Sequence, residues 1–243
     1  MNSIFARTQA VLGSDAIEKL QNSSVIVFGI GGVGGNCTET LVRSGVGRLT
    51  IVDQDTIDAT NINRQIIALQ SNVGKVKVDE FRKRLLDINP ELKLTTLQKR
   101  MDCVNLEDFG LKDFDYVIDS IDTITSKICL AEYCYENNIN IISSMGFGNK
   151  VNPLDIKVSD IYKTYYCPLA RVMRRELRQR RVKKLKTVWS SEKPTKTITG
   201  DQYGKRSPGS VAFVPSFAGI VIASEVIKDI IGKENNEKTR TSS

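Results

Sequence analysis

At 243 residues, 40% of them apolar, the chain can bury one sizeable α/β core, and no apolar run nears the roughly 20 residues of a membrane span. It has no histidine, which excludes His-based triads and the commonest zinc ligand; its five cysteines (Cys37, Cys103, Cys129, Cys134, Cys167) are scattered and lack a C-x-x-C, which speaks against a disulfide framework or a structural zinc. The net charge of +7 is local: residues 171–186 hold nine Lys/Arg against Glu176, so the rest of the chain is near neutral. With no basic–apolar–small targeting pattern at the start, a cytoplasmic protein with no membrane association is expected.

Residues 5–13 precede a polar helix over about 15–20. Arg7 in this stretch reads as a solvated arginine at a helix start. A β-branched run, 25–28, reads as a buried strand, and it breaks into Gly29-Ile30-Gly31-Gly32-Val33-Gly34. This is a G-x-G-x-x-G turn opening a helix over about 33–43. Gly29 permits the tight turn, Gly31 lets backbone approach a phosphate, and Gly34 lets helix and strand pack closely. Free N–H groups and the helix dipole there favour an anion. The next strand, 49–52, ends on Asp53, 19 residues after Gly34, where a carboxylate can take both ribose hydroxyls.

A polar loop follows, carrying Asp55, Asn61, Asn63, Arg64 and Gln65, then an amphipathic helix over about 75–88 with Lys77 in its first turns. Beside a glycine turn, Arg64 and Lys77 are the fixed cations a triphosphate needs; without one they are ordinary surface charge. A strand over 92–97 and a connector over 104–111 lead to the strand 115–118, which ends on Asp119-Ser120-Ile121-Asp122-Thr123. Carboxylates there lie where open parallel sheets bind ligands. Asp122 suits Mg²⁺ bridging to phosphate oxygens, or the cap of the helix over 123–137.

One more strand, 139–143, precedes a flexible Met145-Gly146-Phe147-Gly148 turn, and the strand–helix alternation predicts a doubly wound, mostly parallel Rossmann-like sheet. Then come a short extended segment (150–164), a basic helix over 168–186, a strand-like stretch over 186–194, a Gly/Ser/Thr/Lys-rich mobile stretch (195–210), a buried helix from 211 and a disordered tail from 233. The expected organisation is an ATP-binding domain over 1–160, a basic substrate-binding insertion over 161–210, a C-terminal helix over 211–232 returning to the domain, and the tail. The basic helix is either a solvated face or a phosphate-backbone contact, and its charge density favours the latter. Cys167 is either a small buried thiol or a nucleophile.

Gly29 to Gly34, Asp53-x-Asp55, Asn61-x-Asn63-Arg64-Gln65, Val73-Gly74-x-x-Lys77 and Asp119-x-x-Asp122 occur in the order and spacing of the ubiquitin-activating-type adenylation fold. The chain resembles that superfamily, which includes the molybdopterin and thiamine carrier-protein adenylases, over roughly residues 5–148. Pro168-Leu169-Ala170 with the basic helix, and the passage from Ser207 to Ser216, resemble more closely the tRNA threonylcarbamoyladenosine dehydratase family.

The resemblance implies ATP-dependent activation of a carboxylate, with ATP and Mg²⁺ as cofactors. Gly29, Gly31, Gly32 and Gly34 would form the phosphate turn, Asp53 would hold the ribose, and Asp55 and Asp119 would line the site. Asn61, Asn63, Arg64, Gln65 and Lys77 would contact the phosphates, and Asp122 would hold Mg²⁺. Arg7 matches an N-terminal arginine that reaches the partner subunit's ATP, implying a homodimer. Arg171, Arg174, Arg175, Arg178, Arg180, Arg181, Lys183 and Lys184 would bind tRNA. A sulfur-relay protein is a further partner the resemblance allows. The rival reading is adenylation of the C-terminal Gly-Gly of a small sulfur-carrier protein; an NAD-dependent oxidoreductase or a nucleotide-responsive tRNA scaffold are the others.

Overall fold

The computed structural model describes residues 4–195 and 208–232. Its centre is β1 (Ser24–Phe28), buried on both faces along its whole length, as a run of Val, Ile and Phe in mid-sheet must be. β2 (Arg48–Val52) and β3 (Lys93–Leu97) extend the sheet in parallel on one side; β4 (Tyr116–Asp119) and β5 (Ile141–Ser144) extend it on the other. The chain thus leaves β1 in one direction and returns to its opposite edge at β4. Loops from these two strands part there and leave a crevice at their C-terminal ends.

The sheet does not stop at five strands. Its order is β3-β2-β1-β4-β5-β7-β6. β7 (Lys186–Ser190) enters parallel to β5, and β6 (Ile156–Asp160) closes the edge antiparallel to β7. β6 and β7 fall on either side of the boundary expected at residue 160. The basic insertion therefore shares the sheet of the domain it follows.

Seven α-helices are found among the described residues. α1 (Ala6–Leu12) and α2 (Ser14–Asn22) precede β1; the first was not expected as a helix. α3 (Gly34–Ser44) follows the glycine turn, α4 (Lys77–Ile88) joins β2 to β3, and α5 (Ile124–Glu136) joins β4 to β5. The final helix, α7 (Phe213–Ile231), lies across α3. Gly219 is the crossing point: a Cβ there would stand 2.2 Å from Val33 O. Pro215 sits in the first turn of α7, where its missing N–H costs nothing.

α6 (Pro168–Gln179) corrects the expected length of the basic helix, which does not reach 186. Arg181 turns into the left-handed region at φ +58. Its N–H donates to Arg178 O at 3.1 Å, and Val182 N–H to Leu177 O at 3.0 Å, which together make a Schellman stop. Val182 and Leu177 are buried in one cluster and supply its hydrophobic contact. Arginine occupies the position where glycine usually announces such a stop, so the pattern read as continuous helix.

Cys103 and Cys129 are joined in a disulfide, Cα to Cα 5.4 Å, which corrects the expectation of unpaired cysteines. The loop bearing Cys103 folds back on α5, where Ser126 Oγ donates to Met101 O at 2.9 Å. The mobile stretch expected at 195–210 lies mostly outside the described residues, as does the tail from 233. Both ends of 196–207 meet at one residue: Thr195 N–H donates to Asn149 O, and Gly209 N–H to Asn149 Oδ1, at 2.8 and 2.7 Å.

Candidate active site

The crevice at the ends of β1, β2 and β4 is built first from backbone. Gly29 has φ +79, and a Cβ on it would stand 2.7 Å from Ser120 O, in the loop after β4. A Cβ on Gly34 would lie 1.8 Å from Gly29 O, so the turn exists only with glycine at both positions. A Cβ on Gly31 would meet only the Gln65 carboxamide, its Nε2 at 3.7 Å. Gly32 backs onto Pro215 and Arg64.

Asp53, at the tip of β2, ties this turn down. Its Oδ2 accepts the Ile30 N–H and its Oδ1 the Asp55 N–H, both at 2.9 Å. Each oxygen keeps a lone-pair direction for a further donor. Burial pushes the Asp53 carboxyl above the usual carboxylate range, against the opposing pull of Lys77 and the two N–H groups. Lys77 is itself buried; its Nζ lies 2.8 Å from Asp55 Oδ2 and 3.8 Å from Asp53 Oδ1. The structure thus gathers Asp53, Asp55 and Lys77 into one cluster beside the glycine turn.

The loop between β2 and α4 brings the remaining phosphate candidates. Asn61 Oδ1 accepts the Asp58 N–H at 3.1 Å and closes a capping box over the 3₁₀ turn Ala59–Asn61, so that oxygen serves the loop. Asn63 Nδ2 donates to Ser210 O at 3.0 Å, holding the entry to α7. Arg64 Nη1 donates to Thr60 O and Asn63 Oδ1 at 2.9 and 2.8 Å, and no described carboxylate pairs with it. Gln65 is buried, and its Oε1 has no partner among the described residues.

After β4 the two acids separate in role. Asp119 is fully buried: its Oδ2 lies 2.9 Å from Lys127 Nζ and accepts the Ser143 hydroxyl at 2.6 Å, while its Oδ1 accepts the Ile121 N–H at 3.2 Å. It anchors the loop from inside and presents no oxygen to the crevice, which corrects its placement as a lining residue. Asp122 is exposed, and Thr123, not Asp122, stands at the N-cap of α5, without a side-chain cap bond. The capping alternative therefore falls away. Sequence reasoning missed Lys127; the available signal was a lysine one residue before Ile128, on a helix whose buried face also takes in Leu130 and Ala131.

Arg7 is exposed on α1. Phe5, two residues earlier, packs at Gly45, at the N-terminal ends of the strands, so Arg7 does not join this chain's own crevice. Four of the eight basic candidates have internal partners. Arg174 donates to Thr164, Arg175 pairs with Glu176 at 2.8 Å, Arg178 lies over the Tyr162 ring, and Arg180 pairs with Glu132 and Glu176 at 3.1 Å. Arg171, Arg181, Lys183 and Lys184 are exposed and form no ion pair with a described residue. Cys167 is buried and caps α6, its Sγ accepting the Ala170 N–H at 3.5 Å; this is the packing thiol, not an exposed nucleophile. A groove also opens at the other end of the strands, beside Tyr116, Lys186 and Asp229. There Lys186 is already paired, 2.9 Å from Asp229 and 3.0 Å from Glu225.

The residues present fit a nucleotide triphosphate. A cradle that side chains would fill is left open by glycine, a cation without a carboxylate partner faces it, and two buried polar atoms beside it, Gln65 Oε1 and Ser120 Oγ, lack partners. Among the described residues no cluster of three or more His, Cys, Asp or Glu is preformed for a metal.

The ThiF family matches residues 5–242. The tRNA threonylcarbamoyladenosine dehydratase of Bacillus subtilis is 41% identical over 93% of this chain and 94% of that protein. The Escherichia coli protein of the same name is 36% identical over 72% of this chain and 65% of its own length. The crystal structure of E. coli tRNA N6-threonylcarbamoyladenosine dehydratase, TcdA, in complex with AMP has a TM-score of 0.88 at 30% identity, covering 96% of this chain and 95% of that one; the same protein in complex with ATP gives 0.87. E. coli MccB with ATP, at 22% identity and a TM-score of 0.69, covers 97% of this chain and 65% of its own and shares the fold. With the Asp53–Lys77 cluster set beside the glycine turn on such a sheet, the chain belongs to the ThiF family and, within it, to the tRNA threonylcarbamoyladenosine dehydratases.

Proposed function

We propose that this chain uses ATP to cyclise threonylcarbamoyladenosine in tRNA, next to the anticodon, with net loss of water. The observation that carries the reading is Arg64: a cation without a carboxylate partner at the mouth of a glycine-lined anion cradle, on a sheet that also bears a dense basic helix. The Gly29–Gly34 turn and the start of α3 hold the phosphates. Asp53 orients the ribose through its remaining lone pairs, and Arg64 and Lys77 offset charge growing on the leaving pyrophosphate. Asp122 would hold Mg²⁺, which would supply Lewis-acid neutralisation of phosphate charge when bound.

The threonyl carboxylate oxygen bonds to the α-phosphorus as the bond to pyrophosphate breaks. A nitrogen of the same threonylcarbamoyl group then bonds to the activated carbonyl carbon, releases its proton, and AMP leaves with the former carboxylate oxygen. Tethering both partners on one nucleoside makes the second step intramolecular, and no protein nucleophile is needed.

The reading also takes a homodimer, supported by Phe213, Phe217 and Ile220, which stand exposed at helical spacing on α7. Arg7 then serves the partner subunit's crevice. Among the described residues no helix is long and apolar enough to cross a membrane. Action on tRNA implies a cytoplasmic setting. The test is AMP and pyrophosphate release from ATP and Mg²⁺ with and without tRNA bearing threonylcarbamoyladenosine, and mass analysis of the recovered nucleoside. AMP that requires the modified tRNA, with one water lost, supports the reading. AMP driven instead by a Gly-Gly-tailed carrier protein overturns it.

A further inference from the structure

The proposed reaction occurs on one nucleoside within a folded RNA, and the crevice accounts only for its carboxylate end. The same rim of the sheet carries a second feature, three strands further along at the end of β7, roughly 14 Å away at ordinary strand spacing. Tyr165 and Tyr166 are 44% and 62% exposed there. Tyr166 has φ +56, and the Cys167 N–H donates to Tyr165 O at 2.7 Å, closing a three-residue γ-turn with the positive φ that is rare and strained. A bulky side chain in this region of backbone space is an outlier.

The turn is held from both sides. Tyr165 packs edge-on against the buried Trp189, ring centroids 4.7 Å apart, and against Tyr166 at 5.1 Å. On the other side Cys167 is locked as the cap of α6. The effect is to hold the Tyr166 ring out in water. Its own burial cannot repay the strain, and backbone strain kept at an exposed residue points to function.

The surroundings select the occupant. Lys157 lies 5.8 Å from the Tyr165 ring centroid and donates to its hydroxyl at 3.3 Å, and the exposed Arg171 follows within the first turns of α6. Exposed aromatic faces beside cations are the chemistry that holds unstacked nucleobases while phosphates meet Lys and Arg. We propose that Tyr166, braced edge-on by Tyr165, forms a stacking platform for an unpaired base of the substrate RNA, adjoining the nucleoside activated at the glycine turn. The proposal rests on the tRNA reading above.

The test is equilibrium binding of full-length tRNA bearing threonylcarbamoyladenosine, at several salt concentrations, to the wild type and to Tyr166→Ala, Tyr166→Phe, Tyr166→Gly and Arg171→Ala. Tyr166→Ala is expected to weaken binding about 5- to 150-fold without changing the salt slope or the KM for ATP. Tyr166→Phe keeps the affinity, whereas Arg171→Ala lowers the salt slope by about one. Tyr166→Gly relieves the turn, so it keeps or exceeds the wild-type Tm while losing tRNA as alanine does. Unchanged tRNA affinity in Tyr166→Ala or Tyr166→Gly overturns the platform alone, as does a loss confined to binding of a protein partner. A wild-type chain that does not bind the tRNA overturns the tRNA reading and the platform together.

Discussion

Lys127→Met strands a carboxylate in the interior of the sheet. Lys127 and Asp119 both have side chains with 0% exposure and lie 2.9 Å apart. Methionine fills nearly the same volume, so the change is one of charge. Asp119 keeps the Ser143 hydroxyl and the Ile121 N–H but loses the one cation paired with it among the described residues. Removing one partner of a buried pair costs about 3–5 kcal/mol, because the charge left behind has neither water nor counter-ion. In a chain of this size that corresponds to a fall in Tm of about 6–20 °C. The loop that Asp119 anchors carries Ser120, against which Gly29 packs, and Asp122, so the KM for ATP should rise as well. Urea denaturation of Lys127→Met, Asp119→Asn and the double variant separates charge from packing. Asparagine keeps an acceptor for the Ile121 N–H, and the double variant should recover at least half of the loss. A double variant no more stable than Lys127→Met would refute the reasoning and assign the cost to repacking of α5.

Arg64→Ala should lower kcat/KM by about 10²–10³, as loss of a preorganised charge stabiliser does, while stability stays within about 0.5 kcal/mol of wild type. Steady-state AMP release together with a thermal melt checks both, and a large fall in Tm would reassign Arg64 to the fold. Gly219→Ala places a methyl 2.2 Å from Val33 O, at the head of the helix behind the phosphate turn. Overpacking of about 1–3 kcal/mol should lower Tm by about 2–12 °C and weaken ATP binding, measured by calorimetry. Lys150 is buried with one hydrogen bond, to Ser190 O at 2.9 Å, and burial lowers its pKa from 10.5 despite the pull of Cys167, Glu192 and Asp155. The folded state then holds fewer protons on it than the unfolded state, so stability should rise with pH between the lowered value and 10.5. Lys150→Met should remove that rise, and Tm against pH for the two proteins decides it.

The parts of the fold legible in the sequence are those whose signals are local. Strand β1, the glycine turn, α3 and the tip of β2 follow one another within 30 residues, and each leaves its own pattern of period, glycine or charge. Of the candidate site, the part legible in this way is the glycine turn and Asp53, while the pairing of Lys77 with Asp55 joins residues 22 apart. What escaped depends on distant partners. Nothing near residue 186 says that β7 inserts between β5 and β6, because the pairing with β6 is settled by a turn through α6. Asp119 reads as a ligand until Lys127, in the first turn of the helix that follows its loop, is seen to take it. The stop of α6 was hidden by an arginine at a position where glycine is the usual sign, and the buried Val182–Leu177 contact that compensates for it appears only in three dimensions.

Asn149 receives both ends of the 196–207 stretch, through its carbonyl and its carboxamide. One residue therefore couples two places, the chain leaving β7 and the chain entering α7. The bond from Thr195 ends on a backbone carbonyl and survives any side-chain change, whereas the bond from Gly209 ends on the carboxamide. A substitution at Asn149 would thus loosen the approach to α7 alone and leave the end of β7 held.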